Sequence, residues 1–250
     1  MNRSSSTEKP GTCLNNIRMA LARHRIPELM DDDALDEHSH RRALHGLARI
    51  NAISGIDRHL WRRAAGLARV LGRSVRVLDV AAGSGDVLIR VAERAKEAGI
   101  RLEAHACDIS PVALDEARRK AALRGVTLTT HLTDVIHARL PGGFDLAYCG
   151  LFLHHLDEPQ IEIVLRQMAD AANSVLVQDL RRNYLGLGLA TVVPRLLTRS
   201  RIVHIDAVRS VHAAFTVEEI RTLAHRAGLN GARVECCWPQ RLVVSWERAS

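Results

Sequence analysis

Two carboxylates and a pair of glycines have the types and the spacing that could bind a nucleoside. Asp79 ends an apolar run and is followed by Gly83 and Gly85, and Asp108 ends a second apolar run 29 residues after Asp79. Glycine allows a tight turn and a close approach of the backbone to a ligand. A carboxylate at the tip of a second strand accepts hydrogen bonds from ribose hydroxyls. The pattern therefore predicts a site for a ribose-containing cofactor.

The residues after Gly85 narrow the chemistry of that cofactor. A dinucleotide-binding turn usually has a third glycine, whereas here Gly85 is followed by Asp86 and Leu88. An acid in the turn would repel a diphosphate and would tolerate a cationic ligand. S-adenosylmethionine has adenine, ribose and a positive centre but no phosphate, and it fits this description.

An alternation of strands and helices must position these residues. Strands are predicted at residues 76–80, 102–107, 127–131, 144–149, 174–178, 232–237 and 241–246. Strand and helix patterns that alternate indicate a parallel sheet covered on both faces. From residue 14 to residue 71 the apolar spacing is three or four residues, as in helices. We expect an α/β fold, a seven-stranded Rossmann-like sheet with helices on both faces and an N-terminal helical cap.

The run from Val77 to Val91 resembles motif I of the class I S-adenosylmethionine-dependent methyltransferases. With Ala81 in place of the usual first glycine, it is most similar to the ubiquinone/menaquinone-biosynthesis branch. The resemblance covers about residue 73 to the C-terminus and implies S-adenosylmethionine as cofactor and S-adenosylhomocysteine as product. It implies that Asp79 contacts the methionyl amino group and that Asp134 accepts a hydrogen bond from the adenine amine. The predicted cofactor-binding residues are Asp79, Ala81, Gly83, Gly85, Asp108, Ile109, Asp134, Val135 and Cys149.

Each of these acids has a simpler interpretation as well. Asp79 could hold the backbone of its own turn, and Asp134 could be an aspartate of a surface loop. Asp108 is the stronger prediction, because an acid that ends an apolar strand needs a polar partner. Three acids that follow three successive strands are more specific than any one of them.

Histidines after the fourth strand could act on the methyl acceptor. Methyl transfer requires alignment of donor and acceptor, and a phenol or enol acceptor must also lose a proton. His154 and His155 follow strand four, where the reacting groups should meet, and a histidine titrates near neutral pH. One of them could instead brace the loop. We expect His155 to be the base before His154.

A long segment, residues 181–215, interrupts the alternation after strand five and is predicted to build the acceptor site. His204 and Asp206 would lie on one face if the segment were extended, and they complete the catalytic set His155, His154, His204 and Asp206. They could also be solvated surface residues. The apolar stretches 184–189 and 192–197 could line an acceptor pocket, lie against a membrane surface or pack in the core.

Composition excludes several classes of protein. The chain has 250 residues, 47% of them hydrophobic, which is enough for a large domain and an appendage. The net charge of +7 could indicate nucleic acid, but the arginines are scattered and only 3% of the residues are aromatic. The five cysteines have no metal-ligand spacing, so we predict no metal site and reduced thiols in a cytoplasmic protein. No signal peptide or apolar run long enough to span a membrane is present in the sequence.

The sequence therefore predicts a cytoplasmic S-adenosylmethionine-dependent methyltransferase that acts on a small apolar acceptor. The first hypothesis is O-methylation of a phenolic, quinol or polyketide-type hydroxyl, and the second is C-methylation of a quinone precursor. An RNA-modifying enzyme and a non-catalytic cofactor-binding protein are alternatives from other classes. The predicted organisation is a flexible tail at 1–12, a helical cap at 13–72, and a methyltransferase domain at 73–250 with the insertion 181–215 at the acceptor site.

Overall fold

A seven-stranded sheet forms the centre of the protein in the computed structural model, which describes residues 21–31, 35, 36, 42, 43, 46, 50 and 53–249. The strands are β1 (Val75–Val80), β2 (Leu102–Asp108), β3 (Leu128–Leu132), β4 (Phe144–Gly150), β5 (Ala172–Leu180), β6 (Arg233–Cys237) and β7 (Arg241–Glu247). Their order is β3-β2-β1-β4-β5-β7-β6, and only β7 is antiparallel to its neighbours. The carboxyl ends of β1 to β5 therefore share one edge of the sheet, where β7 begins.

Seven α-helices are present in the described part of the chain. They are α1 (Asp57–Leu71), α2 (Asp86–Glu97), α3 (Pro111–Leu123), α4 (Glu158–Ala171), α5 (Tyr184–Leu197), α6 (Arg201–Ala213) and α7 (Val217–Arg226). One buried cluster joins α1, α2 and α3 to one face of the sheet, and a second joins α4 and α7 to the other face. The predicted α/β class, with helices on both faces, is confirmed.

Short sequence signals set the starts of several helices. Ser110 accepts a hydrogen bond from Ala113 N (3.2 Å), and Pro111 occupies the first helical position of α3. Thr216 and Glu219 form a capping box that begins α7. These local interactions satisfy backbone N–H groups that a helix otherwise leaves unpaired.

Every strand predicted from the sequence is present, with bounds within two residues of those expected. The sequence left the conformation of the insertion open. In the structure α5 and α6 occupy most of residues 181–215, so the extended arrangement that would place His204 and Asp206 on one face does not occur. One helix of the predicted cap is confirmed, and it is α1. The predicted tail (1–12) and most of residues 13–52 lie outside the described residues.

An N-terminal segment, residues 21–31, lies across α6 at the carboxyl edge of the sheet. His24 N donates to His212 O (3.0 Å), and Arg23 Nε donates to Ala213 O (2.7 Å). The backbone N–H groups of Leu29 and Met30 donate to the carboxylate of Asp206 at 2.8 and 3.0 Å. These bonds hold the intervening Glu28 in place beside the sheet edge.

The cysteines differ in part from expectation. Cys107, Cys149 and Cys237 carry free thiols, but Cys236 is disulfide-bonded, so the prediction that all five are reduced is wrong at Cys236. Within the described residues, no helix has the length and apolar character needed to cross a membrane.

Candidate functional site

The turn between β1 and α2 has the backbone conformation that a glycine motif requires. Gly83 and Gly85 have φ values of 54° and 70°, and Ala81 also lies in the left-handed region at 55°. An L-residue other than glycine in that region is strained by about 1–2 kcal/mol. Ala81 therefore occupies the position of the motif's usual first glycine at an energetic cost, and it holds the same turn.

Asp79 is a buried carboxylate without a cationic partner. It is the penultimate residue of β1, with 3% of its surface exposed, and no donor among the described residues bonds to it. Burial, reinforced by the charge of Asp108, raises the pKa of Asp79 well above its ordinary value. An ammonium group bound here would relieve that penalty. This observation fits the methionyl amino group of S-adenosylmethionine, which was predicted from the sequence.

Asp108 joins the glycine turn to the end of β2. Its Oδ2 accepts from Gly83 N at 2.7 Å, and its Oδ1 accepts from Ser110 N at 2.9 Å. A carboxylate has about four lone-pair sites, so each oxygen can accept a further bond. The Asp108 carboxylate thus holds the backbone of the glycine turn. Its two oxygens can still accept hydrogen bonds from two ribose hydroxyls.

The third acid follows β3 in the loop beside Asp108. Thr133 N donates to Asp108 O (2.9 Å), so the loop of Asp134 adjoins the end of β2. Asp134 accepts from Ile136 N and contacts His137 Nδ1, at 2.9 and 2.8 Å. The Asp134 carboxylate therefore makes hydrogen bonds within its own loop.

The apolar cofactor candidates differ in exposure. Ile109, next to Asp108, is 66% exposed. Its side chain is therefore accessible for packing against an adenine ring. Val135 and Cys149 are buried in the core, and burial raises the pKa of the Cys149 thiol well above its ordinary value. The Cys149 side chain therefore belongs to the apolar core beneath the site.

Asp86 does not supply free negative charge to the turn. Both of its carboxylate oxygens lie 2.9 Å from Lys120 Nζ on α3, and Ser84 Oγ donates to Oδ2 at 2.9 Å. The expectation that Asp86 repels a diphosphate is therefore wrong, because Lys120 neutralises its charge. Within the described residues, the carboxylates beside the turn without a cationic partner are those of Asp79 and Asp108.

His154 lies between two carboxylates in the short 3-10 helix Leu153–His155. Its Nδ1 is 2.7 Å from Asp179 Oδ1 at the end of β5, and its Nε2 is 3.6 Å from Glu28 Oε1. Burial alone would lower the pKa of His154, but attraction to Asp179 and Glu28 outweighs burial and raises this pKa to about 10. The same attraction, against burial, holds the pKa values of Asp179 and Glu28 below their ordinary values. The imidazole of His154 is therefore charged at neutral pH.

A cavity of about 390 Å³ opens beside His154 and His155. Its walls come mainly from α5, α6 and the loop before β7, and they include Leu189, Val193, Pro194, Val203, Val211 and Trp238. Leu151, directly after β4, is also in the wall, so the cavity meets the sheet edge where β4 ends. A mostly apolar cavity with a few polar groups at one end is the usual form of a small-molecule site.

The predicted catalytic residues separate into two groups. His154 and His155 lie side by side, with ring centroids 4.2 Å apart, and both line the cavity. Because residues 201–213 are helical, His204 and Asp206 do not share a face. His204 Nε2 lies 2.9 Å from Thr198 O, and His204 is not among the cavity residues. Asp206 reaches the cavity wall, but its carboxylate accepts from the backbone of Leu29 and Met30.

Two acids of this site, Asp179 and Glu28, were not predicted from the sequence. Asp179 ends an apolar strand, so the reasoning that identified Asp108 could have found it. Glu28 lies in residues 21–31, which have no pattern that indicates its partner. Ligand atoms of Glu28, His154 and His155 lie within 4.8 Å of one another, a spacing that a metal ion could also use.

Comparisons with known proteins match this chain to methyltransferases. Residues 77–174 match a family model described as a methyltransferase domain. A demethylmenaquinone methyltransferase of Deinococcus radiodurans is 36% identical over 96 residues, which are 38% of each chain. The aligned part is thus well under half of that relative's length.

Solved structures show the same fold. The plantazolicin methyltransferase BpumL, in complex with a triazolic desmethylPZN analog and SAH, has a TM-score of 0.62 at 14% identity, over 85% of this chain and 92% of its own. An O-methyltransferase family 2 protein of Planctomyces limnophilus, in complex with apigenin, has a TM-score of 0.59 at 19% identity, over 87% of this chain and 63% of its own. The strand order and the seven helices are those of a Rossmann-like methyltransferase fold.

Proposed function

We propose that this chain, a class I S-adenosylmethionine-dependent methyltransferase by its domain match and its fold, methylates an oxygen atom of a small, largely apolar acceptor. The observation that carries this proposal is the apolar cavity at the carboxyl edge of β4 and β5, which has the charged His154 and the neighbouring His155 at one end. The acceptor would bind in this cavity with its hydroxyl directed at the histidines.

The cofactor would be held by the acids at the same edge of the sheet. Asp79 provides the buried negative charge for the methionyl amino group, and Asp108 accepts from the ribose hydroxyls. Ile109 packs on the adenine, and Asp134 accepts from its amine with Val135 alongside. Ala81, Gly83 and Gly85 shape the turn against the cofactor, above Cys149. When bound, S-adenosylmethionine supplies a methyl group already activated by its sulfonium.

The two histidines have different roles in this proposal. A base must accept a proton at neutral pH, and His154 already carries one because Asp179 and Glu28 retain it. His155 lines the cavity beside it and is our candidate for the proton acceptor. The fixed positive charge of His154 would stabilise the developing negative charge of the acceptor oxygen.

Turnover of histidine variants tests this assignment. A positioned base typically contributes a factor of 10² to 10⁴, so His155→Ala is expected to lower kcat about a hundredfold while binding of S-adenosylhomocysteine stays nearly unchanged. The matched control is His204→Ala, which removes a histidine that does not line the cavity and should keep kcat within about twofold. Rates would be followed by mass spectrometry of methylated products from a panel of phenols and quinols. Equal kcat in wild type and His155→Ala would contradict a base at this position and leave alignment as the source of catalysis.

C-methylation of a quinone precursor is the second candidate, and the 36% identity with the demethylmenaquinone enzyme favours it. The two reactions leave the methyl group in different places. With a cofactor that carries a ¹³C-labelled methyl group, the carbon shift of the product separates O–CH₃ from C–CH₃. A label on carbon would replace the first candidate with the second.

The remaining parts of the proposal come from the sequence. We place the domain boundary near residue 73 and the acceptor-site insertion at residues 181–215, whose helices α5 and α6 supply cavity walls. A cytoplasmic location and the absence of a nucleic-acid substrate stay predictions.

A further inference from the structure

Three buried side chains on one face of the sheet carry polar atoms without partners. They are Tyr148 on β4, Gln178 on β5 and Arg241 at the start of β7. Tyr148 Oη, Gln178 Oε1, and both Nε and Nη1 of Arg241 make no hydrogen bond with the described part of the chain. Buried polar groups are nearly always satisfied, so unpaired atoms at one place need a specific reason.

The fold brings the three side chains to the edge where the cavity lies. Arg241 pairs in register with Leu180, the last residue of β5, and Gln178 pairs with Val243 on the same face. Tyr148 lies one strand further along, and a Cβ added to Gly150 would collide with its hydroxyl. The Tyr148 hydroxyl therefore lies directly under the end of β4.

Arg241 is the energetically decisive member of this group. It is only 3% exposed, and within the described residues no carboxylate forms an ion pair with it. Burial lowers the pKa of Arg241, which the charges of Tyr148, Cys237 and Asp179 offset only in part. Asp179 itself is committed to His154. A buried charge without a partner destabilises a protein, so the guanidinium is expected to serve a ligand.

The cavity identifies which ligand this is. Arg241 lines the cavity together with Trp238, Pro239 and Gln240, and with the apolar residues of α5 and α6. Asp79, Gly83 and Asp108 are not among the lining residues. Arg241 therefore forms part of the wall of the space assigned to the acceptor.

We propose that Arg241 binds an anionic oxygen of the methyl acceptor, so that the preferred acceptors carry a carboxylate or an enolate in addition to the hydroxyl that is methylated. This inference rests on the proposed function, since it names the class of acceptor for the same cavity. A guanidinium binds such oxygens through charge-assisted hydrogen bonds, and within the described residues Nε and Nη1 of Arg241 have no partner.

Binding of three naphthalene probes tests the inference. The probes are 1-hydroxy-2-naphthoate with a carboxylate, 2-hydroxy-1,4-naphthoquinone with an enolate, and 1-naphthol with neither. Their affinities would be measured by calorimetry on the full chain, with and without S-adenosylhomocysteine. Wild type is expected to bind at least one of the two anionic probes about tenfold or more tightly than 1-naphthol, and the preferred anion identifies the acidic group.

Variants of Arg241 complete the test. Arg241→Met is expected to abolish the preference and Arg241→Lys to keep part of it, whereas the control Arg233→Met, on an exposed arginine of β6, should keep all of it. Arg241→Met is also expected to raise the thermal midpoint, because it removes an unpaired buried charge. A purely structural arginine would give the opposite shift. If Arg241→Met does not fold, Arg241→Lys supplies the comparison through a reduced preference.

Four results would overturn the inference. They are an unchanged preference in Arg241→Met, no preference in wild type (including no binding of any probe), a lower thermal midpoint in Arg241→Met, and loss of S-adenosylhomocysteine binding in Arg241→Met. The last result would move Arg241 to the cofactor site. Failure of wild type to bind S-adenosylhomocysteine would instead refute the proposed function, whatever the probes show.

Discussion

Replacing His154 by alanine is expected to lower the free energy of unfolding by about 3–5 kcal/mol, the usual effect of removing one partner from a buried ion pair. The imidazole is 4% exposed and separates the carboxylates of Asp179 and Glu28. Without it, two buried negative charges would face each other with no cation between them. Urea unfolding at pH 7 measures the change.

Neighbouring variants show whether the charge is the cause. His155→Ala, in the same short helix, is expected to reduce stability by less than half as much, because His155 is only half-buried. Asp179→Asn in the His154→Ala background should restore part of the lost stability, since it removes one of the two facing charges. Equal stability of wild type and His154→Ala would contradict the buried ion triad.

The pH dependence follows from the raised pKa of His154. A folded-state pKa of about 10 against 6.5 in the unfolded chain means that this stabilisation is complete below pH 6.5 and is lost as the pH rises towards 10. For Asp179 and Glu28, whose pKa values are lowered, the contribution is lost as the pH falls through the acid range. Wild type should therefore lose stability between pH 6.5 and 10 more steeply than His154→Ala.

Replacing Asp108 by alanine is expected to weaken binding of S-adenosylmethionine about a hundredfold. Hydrogen bonds to a charged group contribute about 1.5–3 kcal/mol each, and Asp108 can accept two from a ribose. The variant also removes the bond from Gly83 N, which holds the glycine turn. Calorimetric titration of the cofactor into both proteins gives the ratio of affinities.

Two further variants make this result specific. Asp108→Asn keeps one acceptor oxygen and should show an intermediate loss. Asp115→Ala removes an exposed aspartate of α3 and should bind as wild type does. Cofactor affinity that is unaltered in Asp108→Ala would contradict the position assigned to the ribose.

The sheet could be predicted because its signals are local. Each strand is an apolar run bounded by polar or glycine residues, and caps such as Ser110 and Thr216 mark the helices. The segment 181–215 could not be predicted in this way. Its helix α5 is apolar on more than one side, because part of it faces the cavity, so the amphipathic pattern of a surface helix is weak there.

The candidate site could be predicted where an acid lies at the end of a strand and where His154 and His155 follow the fourth strand. Asp79 and Asp108 were found by that rule, and the partner of His154 at the end of β5 obeys it too. Glu28 and Arg241 depend on contacts between segments far apart in the chain, at separations that no sequence pattern encodes. The charge of Asp86 depends on a tertiary contact in the same way, since Lys120 neutralises it from another helix.

The most direct measurement is a crystal structure of the wild-type protein with S-adenosylhomocysteine. We expect the ribose at Asp108, the amino group at Asp79, and the sulfur directed at the cavity beside Leu151 and His155. Only in that arrangement can a methyl group reach an acceptor in line at near-contact distance. A cofactor bound elsewhere, or bound with its sulfur directed away from the cavity, would contradict the proposed methyl transfer into this cavity.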